Sequence, residues 1–361
     1  MRALNKCTIA SAAVFAVSAC SGAPGLNEAT YQADQCHRVP LIDANSGDAV
    51  IGAEDFAIDR THDRLFIAAY DRVANERAAK KRGAAGPSGG IFTIDVQTLL
   101  QGTGDPIDVR PLVSADEYVG GLRPHGISFD PDTRELAFIN RAYSKSVKGR
   151  WQMVPSLKRI GADGEMIVSD VSTTPCHAND VLLSGENLFA SFDHGACDWR
   201  AGIEDVFQLK RSGIAQASGQ QVFGGVAFAN GLAQTPGGLI ALAATREKNV
   251  ILMHQSVHSL NEHTRIKVPG APDNITISDD GHAIVATHPS LFRLALNRKM
   301  NIGKAPSRIV KLDTNTGKLS VLFDDPSGEI FSAATVGVQT QGGLILGSVT
   351  DHGVLVCPAP S

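Results

Sequence analysis

Six times along the chain, a polar residue or pair opens an alternating apolar stretch, a turn rich in Asp, Gly, Pro or Thr follows, and a second apolar stretch ends in small residues. The first copy runs from Glu54-Asp55-Phe56-Ala57-Ile58 to Leu65-Phe66-Ile67-Ala68, and the second from Pro124-His125-Gly126-Ile127-Ser128 to Leu136-Ala137-Phe138-Ile139. Asn179-Asp180-Val181-Leu182-Leu183 with Leu188-Phe189-Ala190 is the third, and Asn230-Gly231-Leu232 with Leu239-Ile240-Ala241-Leu242 the fourth. The last two are Asp273-Asn274-Ile275-Thr276-Ile277 with Ala283-Ile284-Val285-Ala286, and Thr335-Val336-Gly337-Val338 with Leu344-Ile345-Leu346-Gly347. Each is a hairpin signal, because alternation of period two places the apolar side chains on one face of a strand. A helix is excluded by the same period. The openings fall about 71, 54, 51, 43 and 62 residues apart, near the length of a four-stranded blade with its loops. The fold class expected is all-β, a six-bladed β-propeller forming a single domain over residues 36–361, with a sandwich or several barrels as the alternative. The 36 glycines and 17 prolines suit many short strands joined by tight turns.

Ahead of the repeats, Arg2 and Lys6 flank a short apolar run from Cys7 to Ala19, which is too short to span a bilayer and reads as a secretory signal. Val17-Ser18-Ala19-Cys20 resembles a bacterial lipobox, in which the cysteine is lipidated and becomes the first residue of the mature protein; an ordinary signal peptide cleaved nearby is the alternative. Residues 1–19 are thus expected to be removed and 20–35 to form a linker. Ser21 favours the outer membrane, so the expected location is the periplasmic side of the cell envelope, with a lipid anchor on Cys20 as the membrane attachment. Export places Cys36, Cys176, Cys197 and Cys357 in an oxidising compartment, where four cysteines allow three pairings. With 33 Lys plus Arg against 37 Asp plus Glu and no basic run, the chain has no footprint for a nucleic acid partner.

In a propeller the innermost strand of every blade starts at one end of the central channel, so equivalent positions converge on the axis. Those positions carry Glu54-Asp55, His125, Asn179-Asp180, Asn230 and Asp273-Asn274. A lone Asn-Asp before a strand is ordinary turn chemistry; its recurrence at blade-equivalent positions points instead to a metal. Carboxylates and amide oxygens without thiolates suit a hard cation, calcium before magnesium. Glu54, Asn179, Asn230, Asp273 and Asn274 bring two negative charges and three amides to one ion. Asp55 and Asp180, one position further along, would face a second ion with a backbone carbonyl near Ile127.

The segments Gly52-Ala53-Glu54-Asp55, Arg123-Pro124-His125-Gly126-Ile127-Ser128, Asn179-Asp180, Asp193-His194, Phe228-Ala229-Asn230-Gly231, Asp273-Asn274-Ile275 and Thr287-His288-Pro289 occur in an order and context that resembles the serum paraoxonase/arylesterase family, over roughly residues 36 to 357. The resemblance implies a six-bladed propeller with two calcium ions in its channel that hydrolyses lactones and aryl esters. By position, Glu54, Asn179, Asn230, Asp273 and Asn274 would hold the catalytic calcium, and Asp55, Asp180 and the Ile127 carbonyl the structural one. It also implies a terminal disulfide between Cys36 and Cys357, and a pocket mouth that includes Phe228, His288 and Thr335. In the family a second histidine accompanies the one at His125, and Arg141 stands in its place here. A guanidinium cannot orient and buffer an imidazole as another imidazole does.

Hydrolysis needs a base to activate water, and His125 and Asp273 are the two candidates. Arg141 and His194 are the remaining residues expected at the pocket, and Asp193-His194 reads equally well as a surface pair. The hairpin that turns near Gly185-Glu186 sets Cys176 nearly opposite Cys197, which predicts a second disulfide. Long segments from Tyr70 to Gly90 and from Tyr143 to Pro155 are expected as inter-blade loops that shape specificity. The expected partner is a small lactone or ester. The competing readings are a non-catalytic, calcium-stabilised propeller that binds a ligand or partner, and a different propeller enzyme.

Overall fold

Each of the six hairpins becomes the inner half of its own antiparallel sheet, and the six sheets are arranged as the blades of a β-propeller. The structure, a computed structural model, describes residues 27–79, 85–146, 149, 151–168 and 174–360. The expected signal segment 1–19 and Cys20 lie outside the described residues. From the channel outward, blade 1 uses Ala53–Asp59, Arg64–Ala69, Gly90–Asp95 and Ile107–Pro111, with Leu41–Asp43 added parallel at its rim. The innermost strands of blades 2 to 6 are Pro124–Asp130, Ala178–Ser184, Ala229–Gln234, Ala271–Ile277 and Ala334–Thr340.

Blade 6 is completed from both ends of the chain. Its outermost strand is His37–Val39, which pairs with Val354–Pro358 in a register that sets His37 against Val356. That register brings the preceding Cys36 beside Cys357, and the two form a disulfide with their Cα atoms 4.2 Å apart. Residues 27–35, expected as a linker, pack against the outer strand of blade 5: Thr30 and Tyr31 donate their amides to the Val321 and Leu322 carbonyls, and Tyr31 is buried. An outer strand that would otherwise expose its hydrogen-bonding edge is thereby covered.

The apolar faces of adjacent blades pack on one another. Phe56, Ile67 and Phe92 of blade 1 share a cluster with Val336, Ile345 and Val356 of blade 6, while Ala57 and Phe66 pack against Ile127 and Phe138 of blade 2. Every blade is therefore sandwiched, which is why its strands are apolar on both faces away from the channel. The segment Tyr143 to Pro155 is not a loop throughout: Glu135–Lys145 and Trp151–Gly161 are long strands that pair Tyr143 with Met153 and Lys145 with Trp151. In the other expected loop, Asp71 caps a helix, Arg72–Arg77, by accepting the Ala74 amide.

Candidate active site

All six innermost strands break register with their neighbours near the same end of the channel. The breaks lie between Ala53 and Asp55, Pro124 and Ile127, Ala178 and Val181, Ala229 and Leu232, Pro272 and Ile275, and Ala334 and Val336. A bulge re-aims side chains that strict alternation would send to opposite faces. The polar residues at the six openings, from Glu54-Asp55 to Thr335, sit at these bulges. In blades 2 and 4 the second opening residue is glycine for lack of room. A Cβ on Gly126 would lie 2.4 Å from the Asp180 Cα, and one on Gly231 2.6 Å from the Asn274 Cα.

A cavity of about 400 Å³ opens at this end, and Glu54, Asn179, Asn230, Asp273, His288 and Thr335 line it. Phe228, Arg246 and Arg298 stand around it with Leu291 and Phe292 from the helix Leu291–Ala295. Phe228 holds a left-handed backbone, φ 66°, two residues ahead of Asn230, a conformation that costs energy for a bulky side chain. The opposite end of the channel has a larger opening, about 530 Å³, lined by hairpin-turn segments such as Pro131-Asp132 and Ser184-Gly185. None of the opening donors lies there.

Within the cavity, Asp273 Oδ2 is 2.7 Å from His288 Nε2, and its Oδ1 accepts a hydrogen bond from Asn230 Nδ2. That nitrogen also faces the Thr245 hydroxyl at 3.3 Å, and Asn230 Oδ1 is buried with no hydrogen-bond partner among the described residues. Asn179 commits its amide nitrogen to Asp193 Oδ2 at 3.1 Å. Glu54 meets Arg72 at 3.3 Å and His125 Nδ1, and its main-chain carbonyl accepts from Thr335 Oγ1 at 2.7 Å and Asn274 Nδ2 at 3.0 Å. Burial opposes the Glu54 charge, but His125, Arg72 and Arg141 outweigh it and hold the carboxyl well below the usual range. Burial, then the Arg141 charge, lowers His125 to about 4, while Glu54 pulls it back up.

Deeper in the channel, Asp55 Oδ2 accepts the Ile127 amide at 2.9 Å and Asp180 Oδ2 the Leu232 amide at 2.6 Å, tying blade 1 to blade 2 and blade 3 to blade 4. Ile127 thus meets Asp55 through its N–H, and its carbonyl is the group expected as a ligand. The two carboxylates are neighbours. Burial and then the charge of Asp180 hold Asp55 well above the carboxylate range; burial pushes Asp180 up to about 7, with Asp273 adding to it and the Leu232 and Val181 amides pulling back.

The donor chemistry fits hard cations at both levels. The cavity supplies two carboxylates and amide oxygens, one of them buried and unpartnered, and the deeper pair of facing carboxylates calls for a proton or a cation between them. Three expected pocket residues sit elsewhere. His125 is buried behind Glu54 and does not line the cavity. Arg141 is buried too, its Nη2 donating to the Ala178 carbonyl at 2.9 Å, which gives the buried guanidinium an acceptor. His194 packs edge-on behind Phe228, ring centroids 5.4 Å apart, held by Asp193. Conversely, Arg72, Asp205, Thr245, Arg246 and Arg298 line the cavity without having been anticipated. They come from short helical segments between the strands, where no blade-equivalent position marks them.

No family model and no curated protein matches the chain. Among solved structures it is similar to a gluconolactonase from Xanthomonas campestris, with 14% identity, a TM-score of 0.49 and coverage of 90% of this chain and 97% of that one. It is also similar to an aldose sugar dehydrogenase from Streptomyces coelicolor in its PQQ-bound form, at 11% identity and a TM-score of 0.49, covering 85% and 94% of the two chains. A virginiamycin B lyase from Staphylococcus aureus is similar at 11% identity and a TM-score of 0.44, with 88% and 98% covered. What those proteins bind or turn over does not transfer to this chain at such distances.

Proposed function

We propose that this propeller is a calcium-dependent hydrolase of lactones and, by the same chemistry, aryl esters. The observation that carries the reading is the Asp273–His288 pair, 2.7 Å apart on the wall of a cavity that also gathers Glu54, Asn179 and Asn230. Glu54, Asn179, Asn230, Asp273 and Asn274 would hold one calcium, which when bound supplies Lewis-acid polarisation of the substrate carbonyl and stabilises the oxyanion. Asp55 and Asp180 would hold a second, structural one.

The chain's own residues then have distinct tasks. Phe228, Leu291 and Phe292 provide apolar wall for the body of the substrate. Asp273 takes the proton from the attacking water, and His288 Nε2 orients its Oδ2. The water oxygen bonds to the carbonyl carbon, the ring or ester C–O bond breaks, and the proton passes from the Asp273–His288 pair to the departing alkoxide. His125 keeps Glu54 in place and exchanges no proton with substrate.

The test is a panel of lactones and aryl esters assayed with calcium and after chelation. Calcium-dependent turnover of a lactone supports the reading; a protein that binds calcium yet turns over no member of the panel supports the non-catalytic, ligand-binding alternative. The reading extends to location: an exported envelope lipoprotein anchored through Cys20, with which two disulfides are in keeping. Fatty-acid labelling that persists in Cys20→Ala would refute the anchor.

A further inference from the structure

Outside the channel, two imidazoles and a carboxylate meet on the first hairpin of blade 3. His177 and Asp193 face each other across the strand pair, the Asp193 amide donating to the His177 carbonyl at 3.0 Å. Asp193 Oδ1 lies 2.5 Å from His194 Nδ1 and 3.7 Å from His177 Nδ1, and one ligand atom from each of the three falls within 4.8 Å of the others. The disulfide Cys176–Cys197 brackets the group, fixing the residue before His177 to the loop that follows His194. We propose that His177, Asp193 and His194 form a binding site for a divalent transition metal of the zinc class, separate from the calcium positions.

The donor set separates the two kinds of ion. Two imidazoles and one carboxylate suit zinc, cobalt, nickel or copper, whereas calcium takes six to eight oxygens. Tetrahedral bonds of about 2.0–2.1 Å place ligand atoms roughly 3.3 Å apart, so the His194–Asp193 contact must open by roughly 0.8 Å as the metal replaces the shared proton. The surroundings are those of a metal-bound histidine. With Nδ1 on the metal, His194 keeps its proton on Nε2, which faces Asp205 Oδ1 at 3.5 Å, and Arg246 holds that carboxylate at 2.8 Å. Such a carboxylate fixes the tautomer and ring orientation of a ligating histidine. The His177 side chain is 28% exposed, which leaves solvent access for entry and a fourth ligand. A metal here braces the cavity wall, because His194 packs on Phe228 and Asp193 Oδ2 orients Asn179.

Cobalt(II) titrated into the oxidised protein, with calcium present in excess, tests the site by visible absorption and equilibrium dialysis. One cobalt per chain is expected, with the intense absorption bands of a four- or five-coordinate site, displaced by zinc. His177→Ala and His194→Ala should each abolish it, and Asp205→Asn should weaken it 10- to 100-fold. The paired rings of His254 and His263 on blade 4, 4.8 Å apart, are a second place where imidazoles could gather a metal, so His254→Ala should leave binding unchanged. Failure to bind cobalt saturably would overturn the proposal, as would binding that survives His177→Ala or disappears with His254→Ala. Unchanged circular dichroism in each variant keeps a folding defect from being read as a lost ligand.

Discussion

In the proposed reaction Asp273 has two demands on one carboxylate, since it would help to hold the ion and would also take a proton. Its two oxygens are divided accordingly, Oδ1 toward Asn230 and Oδ2 toward His288. Asp273→Asn should therefore abolish lactone turnover and weaken calcium, while His288→Gln should cost about 10²- to 10⁴-fold in kcat with calcium retained. His125→Gln should cost less than about tenfold, because that imidazole lies behind Glu54, outside the cavity. An inactive His125→Gln protein with normal calcium content and melting temperature would reverse the assignment. Arg141 has its own signature: its charge disfavours protonation of His125, so Arg141→Met should move the His125 pKa up from about 4, read by NMR of the imidazole. That Glu54, Asn179, Asn230 and Asp273 would meet at one cavity was legible in the sequence, because they recur at blade-equivalent positions. Arg72 was not: it reaches Glu54 from a short helix inside a connecting segment, and no period announces such a contact.

The six bulges are the element that turns strands into a site. An alternation-based reading finds the hairpins but passes over the bulges, because one extra residue at a strand's first turn looks in sequence like ordinary turn chemistry. The glycines betray them in hindsight. Gly126 is pressed so closely on the backbone of Asp180 that a side chain cannot be relieved by a rotamer change. Gly126→Ala should cost about 1–3 kcal/mol, the usual penalty for overpacking, seen as a lower urea midpoint; a midpoint equal to wild type would show that blades 2 and 3 can part freely. The disulfide between Cys176 and Cys197, whose Cα atoms are 5.6 Å apart, was legible from hairpin register, although the chain must loop through Gly195 to make it. Replacing both cysteines by serine should cost about 3 kcal/mol for a loop of this length. Equal stability of the oxidised wild type and the double variant would mean that the Glu204 contacts to the Gly195 and Ala196 amides hold the loop unaided.

A propeller closes twice, once at its rim and once at its axis. The rim closure is covalent: strand His37–Val39 completes blade 6 and Cys36–Cys357 locks it. The disulfide was expected from the resemblance, whereas the strand His37–Val39 and the packing of residues 27–35 on blade 5 were not, since nothing periodic marks that segment. At the axis Asp55 and Asp180 tie neighbouring blades together by accepting the Ile127 and Leu232 amides, and the two buried carboxylates face one another. Without a cation, the folded protein raises the pKa of both groups, and Asp180 reaches about 7 against 3.8 for an unperturbed aspartate. A raised acid pKa means that the folded state binds protons more tightly than the unfolded one. The stability so gained is fully present below about pH 4 and is lost as pH rises toward 7. The calcium proposed between the carboxylates would remove the need for the proton, so calcium-loaded protein should not lose this stability over the interval and should gain by mass action as well. Urea unfolding at pH 5 and pH 7.5, with calcium and with chelator, gives four midpoints that decide the matter. The chelated protein should be markedly weaker at pH 7.5 than at pH 5, and calcium should rescue it most at pH 7.5. Equal midpoints in chelator at the two pH values, or a calcium effect no larger at pH 7.5 than at pH 5, would show that the axis is held by the blade-to-blade hydrogen bonds of Asp55 and Asp180 without an ion.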